Sequence, residues 1–502
     1  MRSLVLLLVL ASAIPAQPSP PAAARAWREA NERAIVEEFI ELLSIPNVAR
    51  NVADMRRNAA LIQKMLEKRG VRTRLLETAG GPPAIYGELH TDGARETTVF
   101  YAHYDGQPVE PAQWASGDPF RPELRDKPLE ADGRVIALPP PGRPFDPEWR
   151  LYARSASDDK APVITILTAL DALRAARIPL ARNIKFFLDG EEEAGSPHLE
   201  EILRAHRELL TAGLWLFCDG PVHQNRSQQV VFGTRGHAGF NVSVYGARRE
   251  LHSGHYGNWA PNPAMMLAQL LASMKDGDGR VLVQDFYQGV EPLSETEKRA
   301  LADAPVFDEE LRKEVWLGRT ENSPRRLDDL ITLPSLTVRG LASAGVGPQS
   351  RNVIPAWATA SLEVRLVKGL DYRVAVDRVI AHIRGQGYFV TESEPDAATR
   401  LAHPRVARIV RGDGYNAVRT SMDLEISRRV VAAVESARGP VIRLPTMGGS
   451  LPLEPIVKVL GPPLVIVPIA NHDNNQHGHN ENIRIRNLWD GIETMAALLA
   501  MK

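Results

Sequence analysis

Residues 184–193 read IKFFLDGEEE, a short and mostly apolar run that ends in a cluster of acids. The same order, an apolar run followed by ligand-type side chains, recurs at 98–105 (TVFYAHYD), 214–219 (LWLFCD) and 464–472 (LVIVPIANH). Apolar runs of this length are typical of strands buried on both faces of a parallel sheet. Helical patterns lie between them, including Ala161–Ala176 and Leu424–Ala437. This alternation predicts an α/β fold with a mostly parallel sheet flanked by helices.

The middle of the chain has a different pattern. Apolar and polar residues alternate in Gln229–Tyr245 and in Trp357–Val367, which indicates a sheet with one buried face. A helical pattern follows at Asp371–Arg384. We therefore interpret residues 228–415 as a second, α+β domain that is inserted into the first. The first domain then has two parts, 23–227 and 416–502.

The first residues have the pattern of a secretory signal peptide. Residues 1–22 combine a positive Arg2 and an apolar core at 4–10 with small residues suited to cleavage, namely Ala11, Ala13 and Ala16. An uncleaved anchor is the alternative. No other run reaches the roughly 18 apolar residues of a spanning helix. We expect a secreted or periplasmic protein with no membrane segment after signal cleavage.

Charge and cysteine content exclude several classes of protein. The formal net charge is −1 and acids and bases are interspersed, so we expect no nucleic-acid partner. Cys218 is the single cysteine, which excludes an intramolecular disulfide and a zinc site built from several cysteines.

His and carboxylate groups follow all four apolar runs. Ligands of open α/β sheets bind at the carboxyl ends of the strands, so these groups are expected to meet at one edge. The pair Asp158-Asp159, in YARSASDDKAPV before a helix, is a fifth candidate. Each of these candidate ligands, taken alone, has an ordinary structural explanation, such as helix capping for Asp158-Asp159 or a plain turn at Asp219. Together they are the ligand types preferred by two borderline cations.

Six motifs carry a resemblance to a known family. They are, in chain order, FYAHYDGQPVEPAQWASGDPFRP, LYARSASDDK, DGEEEAGS, LHSGHYG, MGGSLP and HGHNE. This ordered set resembles the dinuclear zinc exopeptidases and deacylases, which include carnosinase, glutamate carboxypeptidase, aminoacylase and succinyl-diaminopimelate desuccinylase. The similarity is greatest to the carnosinase-like dipeptidase branch.

The resemblance implies a role for each residue of the metal centre. His103 would bind one metal ion and His477 the other, and Asp158 would bridge both. Glu193 and Asp219 would each complete one site. Glu192 would be the general base, and Asp105 would hydrogen-bond His103. Zinc is the expected metal, with manganese or cobalt as the alternatives.

The resemblance also implies roles for the inserted domain, as a lid and dimerisation domain. His252 would stabilise the oxyanion across the subunits of a homodimer. Arg365 would bind the substrate's carboxylate, with Asn352 and Ser450 near it. The residues alone leave other interpretations open, since His252 fits a surface loop and Arg365 fits a solvated strand.

The expected function is hydrolysis of amide bonds in dipeptides or small peptides by an exported two-metal enzyme. An N-acyl amino acid deacylase with the same metals is one alternative, and a catalytically inactive peptide-binding relative is another. Residues 124–147, rich in proline and charge, predict an irregular surface excursion.

Overall fold

A computed structural model describes residues 17–502. The predicted signal segment therefore lies, as far as residue 16, outside the described residues. The first helix begins at Pro20, and the side chain of Ser19 caps it by accepting the N–H of Ala22. Among the described residues, no helix is both long enough and apolar enough to cross a bilayer.

The fold is organised around an eight-stranded central sheet. Its strands, in spatial order, are Arg72–Leu76, Ala84–Leu89, Asn183–Asp189, Thr97–His103, Leu214–Phe217, Leu464–Ile466, Gln229–Val231 and Ile442–Leu444. The third to sixth of these are the four runs predicted as strands, and they are mutually parallel. The predicted α/β fold is confirmed.

Alternate residues of each strand in the central sheet point to opposite faces, and helices pack against both faces. Phe100 and Ala102 belong to one apolar core, whereas Val99 and Tyr101 belong to another. The helices on the first side are Pro20–Leu43, Val52–Glu67, Lys160–Ala175, Glu425–Arg438 and Ile485–Leu499. Those on the second side include Leu199–Ala205 and Leu453–Val459.

A second, five-stranded sheet forms in the middle of the chain. Its order is Ser335–Ala342, Trp357–Leu366, Gly236–Tyr245, Val406–Tyr415 and Phe389–Thr391. The alternation predicted one buried face, and Ala360, Leu362, Val364 and Leu366 are indeed fully buried. Helices Pro263–Ala272 and Tyr372–Gly385 pack on that face.

The stretch Gln229–Tyr245, predicted as part of the sheet with one buried face, is divided between two sheets. Gln229–Val231 belongs to the central sheet, and Gly236–Tyr245 belongs to the second sheet. Between them, Gly233–Thr234 pairs with Val418–Arg419. A Cβ at Gly233 would lie 2.0 Å from the carbonyl oxygen of Val418, so only glycine allows this close approach.

The excursion is partly ordered by pairing at its start. Glu123–Arg125 pairs with Arg150–Tyr152, which also pairs with Asn482–Arg484, giving a three-stranded sheet.

The remaining helices of the middle region are Ser253–Tyr256, Glu295–Asp303, Asp308–Glu314, Leu327–Ile331 and Ala397–Ala402.

Candidate metal centre

Three of the candidate ligands lie at or shortly after the ends of strands in the central sheet. His103 is the last residue of its strand, and Asp219 follows the strand Leu214–Phe217 by two residues. Glu193 lies in the turn after Asn183–Asp189, within the short helix Glu192–Ala194. Asp158 immediately precedes the cap of helix Lys160–Ala175.

The first ligand group consists of His103, Asp158 and Asp219. Nε2 of His103 lies 2.9 Å from Oδ1 of Asp158 and 3.6 Å from Oδ2 of Asp219. All three residues are buried, and their potential ligand atoms lie within 4.8 Å of one another. One imidazole and two carboxylates therefore converge on one point.

The second ligand group consists of Asp158, Glu193 and His477. Nε2 of His477 lies 3.1 Å from Oδ2 of Asp158 and 3.2 Å from Oε2 of Glu193. Asp158 thus presents Oδ1 to the first group and Oδ2 to the second. The structure brings together all five residues that the resemblance implies as ligands, and Asp158 belongs to both groups.

The charges in this cluster fit a pair of cations. Burial, reinforced by the Asp158 carboxylate, raises the pKa of Asp219 to about 7 and that of Glu193 to about 8. The hydrogen bond to Asp158 raises the pKa of His477 to about 9. Buried carboxylates this close together repel one another unless positive charge lies between them. Nitrogen and oxygen ligands of this kind suit zinc, manganese or cobalt.

Asp105 connects the first ligand group to the glutamate turn. Its carboxylate accepts the backbone N–H of Glu192 at 3.1 Å and of Glu193 at 3.0 Å. Its Oδ1 also lies 3.2 Å from Nδ1 of His103, and both side chains are fully buried. Such a contact sets the orientation and tautomer of a ligating imidazole.

The three consecutive glutamates have different surroundings. Glu191 is buried and lies 2.9 Å from Nδ1 of His198. Glu193 belongs to the second ligand group. Glu192 belongs to neither group and lines the adjoining cleft, and burial raises its pKa well above its usual range. Glu192 is therefore the member of the triplet that is available as a proton acceptor.

The cleft has a volume of about 630 Å³ and runs along the metal centre. Its lining residues include Ser450 as well as Leu311, Asp328 and Ile331 of the middle region. Nη1 of Arg365 donates to Oγ of Ser450 at 2.7 Å. A guanidinium group is thereby held beside the wall of the cleft.

His252 and Asn352 lie outside the set of described residues that line this cleft. Both are exposed, and they are neighbours, since the N–H of Ser253 donates to the carbonyl of Asn352 at 3.0 Å. The ring of His252 lies 4.5 Å from that of His255. Within one chain these residues form an exposed unit.

Two amide side chains contact the ligands and were not identified from the sequence. Nε2 of Gln107 donates to Oε2 of Glu193 at 2.7 Å, and Nε2 of Gln476 donates to Oδ2 of Asp158 at 2.7 Å. Both lie close to a ligand in sequence, but proximity along the chain does not distinguish them from other polar neighbours.

The chain is similar to known metallopeptidases in sequence and in fold. The model of Peptidase family M20/M25/M40 matches residues 99–501. The human Beta-Ala-His dipeptidase is 27% identical, with 98% of this chain and 96% of that protein covered. The Cys-Gly metallodipeptidase DUG1 of Saccharomyces cerevisiae is 25% identical, with 83% and 82% covered. An M20 family metallo-carboxypeptidase from Sulfolobus solfataricus has a similar fold, with a TM-score of 0.74, 24% identity, and 93% of this chain and 98% of that chain covered.

Proposed function

Because this chain belongs to Peptidase family M20/M25/M40, we propose that it is an exported two-metal dipeptidase. The chain is a metallo-exopeptidase. The observation that carries the proposal is the pair of ligand groups that share Asp158, beside a cleft lined by Glu192. The relatives named as dipeptidases support the same substrate class.

His103, Asp158 and Asp219 would hold one cation, and Asp158, Glu193 and His477 the other. Zinc is the proposed metal, with manganese or cobalt as alternatives. When bound, two such cations polarise the scissile carbonyl and lower the pKa of the attacking water.

Glu192 would move the proton. Its raised pKa makes its carboxylate a stronger base than an exposed glutamate, and it borders the cleft in which the substrate would lie. It takes the proton from the attacking water and passes it to the leaving amine, so that the proton balance closes within the site. General acid–base catalysis of this kind contributes about 10²–10⁴ in rate.

Arg365 would recognise the terminal carboxylate of the substrate. Its hydrogen bond to Ser450 places the guanidinium next to the cleft, and Ser450 itself lines that cleft. A planar guanidinium is well suited to binding a carboxylate through two parallel hydrogen bonds.

A homodimer would supply His252 and Asn352 to the partner's active site. Both residues are exposed in one chain and lie outside its own cleft lining. Ser335–Ala342 is an edge strand of the second sheet, and it exposes Val338 and Leu341. An exposed apolar edge strand favours pairing with another chain, and a second copy would bring the partner's histidine to the site as an oxyanion donor.

The charge of the cleft favours dipeptides over N-acyl amino acids. Beyond the ligand groups and Glu192, the described lining residues include the acids Glu314 and Asp328 but no lysine or arginine. Gln229, which is 7% exposed, also lines the cleft, and its Oε1 has no hydrogen-bond partner among the described residues. These groups suit the cationic free amine of a dipeptide, which an N-acyl amino acid lacks.

A substrate panel tests this choice. The wild-type protein should cleave a dipeptide with higher kcat/KM than its N-acetylated analogue. Asp328→Asn should reduce that preference by about tenfold, since a hydrogen bond to a charged group contributes about 1.5–3 kcal/mol. Asp329→Asn, which removes the same charge outside the cleft lining, is the matched control. Faster cleavage of N-acyl amino acids would favour the deacylase, and no turnover of either class would favour a peptide-binding relative.

Export is the remaining part of the proposal. It rests on Arg2, the apolar core at 4–10 and the small residues that follow. Expression in a bacterial host, followed by cell fractionation and N-terminal sequencing of the product, tests it. We expect processing within the segment 1–22, whereas an unprocessed product that stays in the cytoplasm would contradict export.

A further inference from the structure

We propose that Glu481 is a positioning residue that fixes the bridging Asp158 and couples it to His477. The inference rests on the proposed two-metal function. The Glu481 side chain is 1% exposed and lies in none of the ligand groups among the described residues. Its carboxylate is neither a ligand nor the proton acceptor in the proposed mechanism.

The carboxylate of Glu481 accepts hydrogen bonds from the loop that carries Asp158. Oε1 accepts the backbone N–H of Ser157 and of Asp158, each at 2.9 Å, and the Ser157 hydroxyl at 2.8 Å. Oε2 accepts the N–H of Ser155 at 2.9 Å and Nη1 of Arg154 at 2.8 Å. One buried side chain therefore holds five donors from residues 154–158.

These contacts fix the direction of the bridging carboxylate. The Asp158 backbone is held at its own N–H and at that of its neighbour Ser157. Its two oxygens must point to different ligand groups, so a small rotation of this backbone would separate one oxygen from His103 or from His477. A rigid backbone at this position is thus a condition for bridging.

The same carboxylate joins two loops that are distant in sequence. Glu481 follows His477 by four residues, and the carbonyl of Gly478 accepts Nη2 of Arg154 at 3.0 Å. The N–H of Ala153 donates to the backbone carbonyl of Glu481 at 3.1 Å. Hydrogen bonds therefore connect the loop that carries His477 to the loop that carries Asp158, next to the metal centre.

A negative charge is needed at this position. Arg154 is 2% exposed, and its guanidinium lies over the Trp114 ring, 5.2 Å from the centroid. Removing the charge of Glu481 would leave this buried cation without its partner. A glutamine would keep the shape, but its NH₂ group would face N–H donors instead of accepting from them.

Comparison of Glu481→Gln with Glu493→Gln tests the inference in the full-length protein. Glu493 is a matched control, because its carboxylate is 4% exposed and paired with Arg25 at 2.9 Å, and it lies on helix Ile485–Leu499. For each variant, zinc affinity is measured by competition with a chelator. The absorption spectrum of the cobalt-loaded protein, thermal unfolding of the metal-free protein, kcat and KM are recorded alongside.

We expect Glu481→Gln to weaken binding of at least one zinc ion by about 10–100-fold, the usual effect of losing a residue that orients metal ligands. The cobalt spectrum should change, and kcat should fall more than KM rises. Glu493→Gln should lower thermal stability and leave zinc affinity and the cobalt spectrum as in the wild type. Wild-type zinc affinity and an unchanged cobalt spectrum in Glu481→Gln would overturn the inference, whatever its stability.

A milder variant covers the case in which Glu481→Gln does not fold. Ser157→Ala removes only the hydroxyl contact, and weaker zinc binding in this variant supports the inference while wild-type binding refutes it. The wild-type titration separates this question from the proposed function. Failure of the wild-type protein to bind zinc, manganese or cobalt would remove the proposed function itself.

Discussion

Replacing Glu192 with glutamine should stop hydrolysis and leave the metal ions bound. Glu192 lies outside both ligand groups, and Asp105 holds it through a backbone N–H that glutamine keeps. The substitution therefore removes the proton acceptor and little else. Loss of a general base lowers kcat by about 10²–10⁴, which corresponds to about 2.7–5.4 kcal/mol of transition-state stabilisation.

The assay compares Glu192→Gln with Glu193→Gln, the adjacent residue that undergoes the same chemical change. Hydrolysis of a dipeptide is followed under saturating substrate while zinc is added in excess, and metal content is measured on the same samples. Glu193→Gln should lose metal from the second ligand group and regain part of its activity with added zinc. Glu192→Gln should keep its metal and regain nothing. Retention of more than about a tenth of the activity by Glu192→Gln would refute the assignment.

Further substitutions test the other parts of the proposed mechanism. Arg365→Ala should raise KM by about 10–150-fold for a dipeptide with a free carboxylate, from the 1.5–3 kcal/mol of a charge-assisted hydrogen bond; an equal effect on the amidated dipeptide would count against carboxylate binding. His252→Ala should be nearly inactive alone, since loss of an oxyanion donor costs about 10²–10³. Co-refolding His252→Ala with Glu192→Gln should restore up to about a quarter of wild-type activity, because half of randomly assorted dimers are mixed and each mixed dimer holds one complete site. Inactive mixed dimers, or a fully active monomer, would contradict the action of His252 in the partner's active site. Asp105→Asn should weaken zinc binding by about 10–100-fold, and wild-type affinity would show that the contact with His103 is not needed.

The edge of the central sheet was predictable because it depends on local patterns. Four apolar runs have the length and composition of buried strands, and parallel strands bring their carboxyl ends to the same edge. That rule alone places His103 near Asp219, although more than one hundred residues separate them. The second sheet's buried face was predictable for the same reason, since alternation in Trp357–Leu366 sets which side chains face the core.

Features that depend on contacts between distant segments were not predictable. The five donors on Glu481 come from residues 154–158, and no local pattern links these to the end of the chain. The acids Glu314 and Asp328 reach the cleft only through the packing of the middle region. The break within Gln229–Tyr245 likewise depends on how closely the Val418 carbonyl approaches Gly233. From the sequence alone, Glu481, Glu314 and Asp328 could not be distinguished from ordinary surface polar groups. Nothing in the sequence indicated that Gln229–Tyr245 is divided between two sheets.

Metal content and dipeptide hydrolysis, measured together on one preparation of the full protein, test the two-metal mechanism itself. Two ligand groups that share Asp158 predict about two divalent ions per chain after loading with zinc. Removal of both ions by a chelator should abolish hydrolysis, and adding zinc back should restore it. Full hydrolysis by protein shown to contain no metal would contradict the mechanism.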